Sequence, residues 1–168
     1  MQRSFYTVFC LVLVYGMLLM LPGYGGVQSI PFYQNKGFNN IAHGTGRELR
    51  PGNTLEGALN AVAVGADIIE LDIHLTLDKV VVVRHGATVD ATTNGSGSIA
   101  DMTLAELQAF DVGFHKEDYP EKVAVEGIRI PTLESLFLAL PDKRFLIELK
   151  PDDIETGIQL CQLVLAHG

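Results

Sequence analysis

Short strand-like runs alternate with helix-like ones along most of this chain. Ile41–Ala42, ADIIELDIHL from Ala66 to Leu75, VVVVRH from Val80 to His85 and RFLIELK from Arg144 to Lys150 read as four short strands, mostly apolar. Asp78-Lys79 mark the turn between the second and third. Helical periodicity fills the gaps. Asn53 or Thr54 is placed to cap a first helix, with Glu56 as the capping-box partner three residues after Asn53. Leu55, Leu59 and Val62 share its apolar face, and Gly65 ends it. Thr103 and Glu106 form a capping box ahead of Leu104 and Leu107. Thr132 heads a third helix carrying Leu133, Leu136, Phe137 and Leu140. Asp152 and Glu155 open a last one, whose predicted buried face is Ile154, Ile158, Cys161 and Leu165. Alternation of this kind predicts a parallel α/β architecture. No G-x-G-x-x-G follows the first strand and no G-x-x-x-x-G-K-[ST] occurs, which removes the dinucleotide-binding and P-loop versions. A TIM-type (β/α)8 barrel remains. Such barrels take about 250 residues, so the 168 here fit about the first four βα units.

Strand parity then sorts the polar residues. Residues two apart on a strand face the same side, so Glu70, Asp72 and His74 lie together, as do Glu148 and Lys150. A charge buried in such a strand without a partner is costly, and the C-terminal mouth of a barrel is where charged groups find work. His43, Glu70, Asp72, His85, Glu148 and Lys150 all lie at or towards strand ends. Three carboxylates without a thiolate suit a hard, oxygen-loving cation, Ca²⁺ or Mg²⁺. Two histidines suit a general acid and base, and the whole set suits cleavage of a phosphodiester. Taken singly, each residue has a blander reading. Glu148 and Lys150 make a simple ion pair, His74 fills space beside the site, and Asn94-Gly95 is a turn. The joint placement at four strand ends is what carries the chemistry.

In this order and spacing the pieces resemble the glycerophosphodiester phosphodiesterase family. The resemblance runs from Ile41 to Pro151 through IAH, the N-T-L opening the first helix, GADIIELDIHLT, VVVRH, T-T-N-G-S-G, MTLAEL, IPTLE and IELK. It implies a (β/α)8 barrel that hydrolyses glycerophosphodiesters to an alcohol and glycerol 3-phosphate. It implies His43 and His85 as the acid–base pair. Glu70, Asp72 and Glu148 would be ligands of a divalent cation, usually Ca²⁺ or Mg²⁺, and Lys150 would contact the phosphate. The departures are specific. The family's His-Arg-Gly is His43-Gly44-Thr45 here, and its P-E-N-T is Pro51-Gly52-Asn53-Thr54. Its His-Asp is His85-Gly86, and the arginine before Thr-Thr is Ala91. Two cations and two carboxylates are thereby absent, with Arg47 and Arg50 the nearby candidates to replace the first arginine. Each lost charged contact to a transferring phosphoryl group costs ~2.7–4 kcal/mol where it acts like an oxyanion-hole donor, so weak activity is expected. There are two alternatives: a catalytically impaired or incomplete relative acting as a binding domain, and a phosphodiesterase of lysophospholipids.

The N-terminus sets the expected organisation. Arg3 precedes an uncharged apolar run from Phe5 to Leu21, then PGYGG. Residues 1–26 read as a signal peptide or N-terminal membrane anchor, 27–40 as a linker, and 41–168 as a phosphodiesterase domain truncated at its C-terminus. Arg3 staying cytoplasmic exports the domain to a periplasmic, extracellular or lumenal space. A net charge of −8 argues against nucleic acid and anionic surfaces as partners. The expected partner is a small glycerophosphodiester or lysophospholipid, with the membrane reached through the N-terminal segment. A real half-barrel exposes two sheet edges and would favour pairing with a second copy. Cys10 and Cys161 have no metal or redox spacing.

Overall fold

Strand β2 (Ile68–Leu75) is the axis of the sheet, and all eight of its residues are buried. Burial of both faces is the condition of a central strand in a parallel sheet, where covering layers lie on either side. The computed structural model describes residues 37–113 and 127–167. The chain divides into two units, Met1–Phe38 and Asn39–Gly168, and the sheet with its helices belongs to the second. The signal or anchor assigned to residues 1–26, and the linker as far as residue 36, lie outside the described residues. No helix among the described residues is long and apolar enough to cross a membrane.

Strand β1 (Ile41–Ala42) pairs parallel with the start of β2, Ile41 opposite Ile68. Strand β3 (Val81–Val83) does not extend the parallel sheet. It runs antiparallel to the end of β2, with Leu75 opposite Val81 and Ile73 opposite Val83. The connection explains this correction. Only residues 76–79 separate β2 from the Val80 run, whereas a parallel crossover takes roughly a dozen residues or more. Thr76 organises the turn: its hydroxyl donates to Asp78 Oδ1 at 2.6 Å and accepts from Val80 N at 2.9 Å. Lys79 adopts the left-handed conformation at φ +64° that closes it. Strand β4 (Arg144–Leu149) is the third parallel strand, in register with β2 from Ile68–Arg144 to Ile73–Leu149. The parallel part of the sheet therefore has three strands rather than four, and β3 is the returning arm of a hairpin.

Three of the described helices cover one face of this sheet. Helix α1 (Leu55–Ala63) is capped by Thr54, whose hydroxyl accepts from Gly57 N at 3.0 Å. Its inward face is the small set Gly57, Ala58 and Ala61, with Leu55 and Val62 flanking; Leu59, expected inside, is exposed. A close approach to the loop explains the choice of small residues, since a Cβ at position 57 would sit 2.7 Å from Thr45 Oγ1. Helix α2 (Leu104–Leu107) carries the expected Thr103–Glu106 capping box, and Gly65 ends α1 at φ +98°. Helix α3 (Leu133–Ala139) is capped by Thr132 and buries Leu133 and Leu136 against Ile69, Leu71 and Ile73.

Helix α4 (Ile154–His167) departs from expectation twice. Asp153, not Asp152, caps it, accepting from Thr156 N at 2.8 Å. Leu160 and Leu163 face the core, whereas Ile154 and Leu165 are 83% and 85% exposed and Ile158 and Cys161 are also exposed. The helix has two apolar stripes of equal period, and the packed one is the stripe not predicted. A second, smaller core of Val82, Val89, Ile99, Leu107 and Ile130 lies under the long loop after β3.

Candidate active site

The face of β2 turned away from the helices presents Glu70, Asp72 and His74, as alternation requires. Register does the rest: Asp72 is opposite Glu148 on β4. One oxygen each of Glu70, Asp72 and Glu148 lies within 4.8 Å of the other two. Glu70 and Asp72 are buried, and Glu148 is exposed. Lys150 closes the group, its Nζ 2.7 Å from Glu148 Oε1 and 3.0 Å from Asp72 Oδ1. The hydrogen bond to Glu148, with Asp72 close by, holds the Lys150 ammonium above its ordinary pKa, so it is a fixed cation at neutral pH.

Asp72 is positioned from behind by Asn53. Asn53 Nδ2 donates to Asp72 Oδ2 at 2.9 Å, and Asn53 Oδ1 accepts from the Asp72 backbone N at 3.0 Å. From the sequence alone, the role legible for Asn53 is that of a helix cap. Its signal was its residue type, since asparagine tolerates the left-handed conformation it adopts here at φ +57°. The other oxygen, Asp72 Oδ1, is buried and faces the Lys150 ammonium at 3.0 Å. Three carboxylates against one ammonium leave a local charge of minus two. Three carboxylate oxygens converging within 4.8 Å and that charge fit a divalent cation.

The loop after β1 folds over this group. Residues His43–Thr45 make one tight turn in which Gly44, Thr45 and then Gly46 have positive φ. The turn aims Gly44 N at Glu70 Oε2, 2.5 Å away, and leaves His43 Nε2 3.9 Å from the same oxygen. Asn53 N donates to Gly44 O at 2.9 Å, and Thr54 N to the buried Thr45 hydroxyl at 3.2 Å, so the two ends of the loop are pinned together.

His85 arrives by the hairpin. Because β3 runs back along β2, Arg84 N donates to Asp72 O at 2.8 Å and His85 follows at the level of the carboxylates. His74 Nε2 donates to the His85 carbonyl at 3.2 Å. Burial pushes the His74 pKa down, which keeps the ring neutral. His74 is thus a strut beneath the His85 loop, in line with its expected role as filler beside the site.

A cleft of about 440 Å³ collects these elements, lined by His43, Arg47, Asn53, Asp72, Arg84 and His85 among others. The two histidines assigned from sequence share this cleft with Asp72, while Glu70, Glu148 and Lys150 stand beside Asp72 outside its lining. Of the two arginines weighed as replacements, Arg47 lines the cleft and Arg50 does not. Gly44, Gly52, Gly86 and Ala91, the four departures from the family pattern, all line it too.

The chain matches the glycerophosphoryl diester phosphodiesterase family over residues 43–166. It belongs to that family. It is 43% identical over 120 residues to the glycerophosphodiester phosphodiesterase of Caldanaerobacter subterraneus subsp. tengcongensis, covering 71% of this chain and 46% of that protein. It is 33% identical over 117 residues to a lysophospholipase D of Mus musculus, covering 66% and 36%. The Oleispira antarctica phosphodiesterase, whose structure is a complex with the product sn-glycerol-3-phosphate, matches with a TM-score of 0.65 and 28% identity. That match covers 77% of this chain and 53% of the other. The chain spans about half the length of the relatives it matches, or less. Its three parallel strands and their helices are part of the TIM-type (β/α)8 barrel of the family, which bears out the predicted fold class.

Proposed function

We propose that this cleft hydrolyses a glycerophosphodiester to glycerol 3-phosphate and an alcohol. The observation that carries the reading is the trio Glu70, Asp72 and Glu148, two of them buried, beside a cleft shared by two histidines. Family membership and the names of the relatives support the same substrate class. Glu70, Asp72 and Glu148 would hold a Ca²⁺ or Mg²⁺ ion, which when bound polarises the phosphoryl oxygens and offsets charge developing there. Lys150, fixed as a cation between two of these carboxylates, faces the same phosphate. One of His43 and His85 takes the proton from the attacking oxygen, that of water or of the substrate's own glycerol hydroxyl; after attack by the hydroxyl, a water then opens the cyclic phosphate to glycerol 3-phosphate. The other gives its proton to the leaving alkoxide as the P–O bond breaks. Glu70 lies 3.9 Å from His43 and orients it loosely, as suits a ring that tightens onto its substrate.

Release of glycerol 3-phosphate from glycerophosphoethanolamine by the full chain tests this, with Ca²⁺, with Mg²⁺ and with chelator. Weak release is expected, abolished by chelator and by Glu70→Ala. No release from protein that still melts cooperatively would sink the enzyme reading in favour of a binding domain. The similarity to a lysophospholipase D favours one variant of the proposal. Relative rates on glycerophosphocholine and lysophosphatidylcholine decide between the two substrates. The apolar run from Phe5 to Leu21 behind Arg3 supports export of the domain. A reporter enzyme active only outside the cytoplasm, fused after residue 40, would stay silent if that were wrong.

A further inference from the structure

We infer that Arg47 is a phosphate-binding cation on the lining of the cleft, and that Gly52 is a glycine because the Arg47 stem lies across it. The inference rests on the phosphodiesterase reading above and assigns a residue to it.

The geometry is local and specific. A Cβ at position 52 would stand 2.8 Å from Arg47 Cβ, closer than such atoms approach, and 3.3 Å from Gly44 O. A Cβ at position 44 would make only an ordinary contact, 3.4 Å from Arg47 Cδ, and it is φ +52° that favours glycine there. Gly52 thus leaves room for the Arg47 stem, and the side chain passes Gly44 on the cleft lining. The base of the side chain is fixed, because Arg47 N donates to His43 O at 3.3 Å inside the left-handed turn.

The charge at its tip is available. The ion pair that Arg47 makes among the described residues is with Glu48 Oε1, 3.4 Å from its Nε. Glu48 is 88% exposed and Arg47 52%, and exposed pairs of this kind contribute little. Of the other cations near the reaction, Lys150 is held between Asp72 and Glu148, and Arg84, which lines the same cleft, is buried where Arg47 is half exposed. A phosphodiester entering this cleft meets Asp72, one of the three clustered carboxylates, on the lining. Arg47, on the same lining, supplies positive charge in the planar fork that takes two phosphate oxygens together.

The test compares Arg47→Ala, Arg47→Lys, Gly52→Ala and Arg50→Ala in the full chain with Mg²⁺ present. Two quantities are read: kcat/KM for glycerophosphoethanolamine, and the Kd for glycerol 3-phosphate by calorimetry. Loss of a charged hydrogen-bonding partner predicts a Kd raised about tenfold to a hundredfold in Arg47→Ala. Arg47→Lys recovers part of the loss. Gly52→Ala, which removes no charged group, weakens binding in the same direction by displacing the arginine. Arg50→Ala leaves both quantities unchanged. Should the wild-type chain bind the product and Arg47→Ala bind it equally well, the assignment is wrong while the phosphodiesterase reading stands. Product binding without turnover leaves the Kd series to decide the role of Arg47. A wild-type chain that neither binds product nor turns over substrate overturns both. Arg47→Ala changes an exposed side chain, so a folding failure of Gly52→Ala would not decide the outcome.

Discussion

Asn53 shows how much one side chain can hold in place. It bonds the backbone N and one carboxylate oxygen of Asp72, both buried, from a residue whose own backbone is left-handed. Replacing it with alanine strands two buried polar groups and puts a Cβ-bearing residue without compensating bonds at positive φ. We expect Asn53→Ala to lower the unfolding free energy by about 1–3 kcal/mol and to weaken divalent-cation binding by roughly 10–100-fold. Urea unfolding and a Ca²⁺ or Mg²⁺ titration check the two effects separately. Asn53→Gly suits the backbone but restores neither bond, so its cation affinity should match that of Asn53→Ala; recovery in the glycine variant would show that backbone strain was the cause. The carboxylates that Asn53 serves were legible in the sequence, because alternation in IELDIHL and IELK puts acidic residues on one face of each strand. Asn53 was not, since an asparagine before a helix caps it as readily as it bends away. The order of Asn53 and Thr54 gives both possibilities equal standing, and only the fold sets the hydroxyl on Gly57 and the amide on Asp72.

Among the elements, the third strand was legible as a strand but not in its direction. Its apolar run identifies it, while a count of βα units makes it parallel. The four residues between β2 and Val80 carry the contrary information, being too few for a crossover. That reversal matters to the site, because a returning strand brings Arg84 and His85 back beside Asp72. Helix α4 offers a test at the same scale. Asp153 accepts from the Thr156 backbone N and hydroxyl, which hold its carboxyl below the ordinary value of 3.8. A carboxyl depressed on folding contributes stability above its unfolded pKa and loses it as pH falls through the folded one. Asp153→Ala should therefore be less stable than wild type from pH 5 to 7. The gap should close in acid, below about pH 4, the usual carboxylate range. Thermal unfolding of both proteins across this range provides the check, and a gap constant down to pH 2 would assign the cap to something other than the ionised carboxylate.

At the scale of the whole molecule, the apolar surface is unevenly covered. The inner stripe of α4 and the helix-facing side of the sheet are packed around Leu71, Leu133 and Leu136. Ile154, Ile158, Val164 and Leu165 on α4 are exposed, and Leu146 on β4 is exposed on the opposite face of the sheet, the face of Glu148. Periodicity revealed both stripes of α4, but an equal spacing says nothing about which stripe meets the sheet. An exposed apolar stripe of this kind on one helix favours association. We expect the 168-residue chain to bind a hydrophobic dye and to self-associate with rising concentration, as read by sedimentation velocity. Ile154→Glu combined with Leu165→Lys should suppress both while changing the unfolding free energy by no more than about 0.5 kcal/mol per site, as exposed positions do. Leu136→Ala, on the packed side of α3, should instead cost about 2–5 kcal/mol and leave association unrelieved. The contrast separates a sticky surface from a loosened core. A chain that stays monomeric at high concentration and binds no dye would mean that this face is covered in solution by residues outside the described part. The charge substitutions on α4 would then destabilise the protein instead of leaving it unchanged.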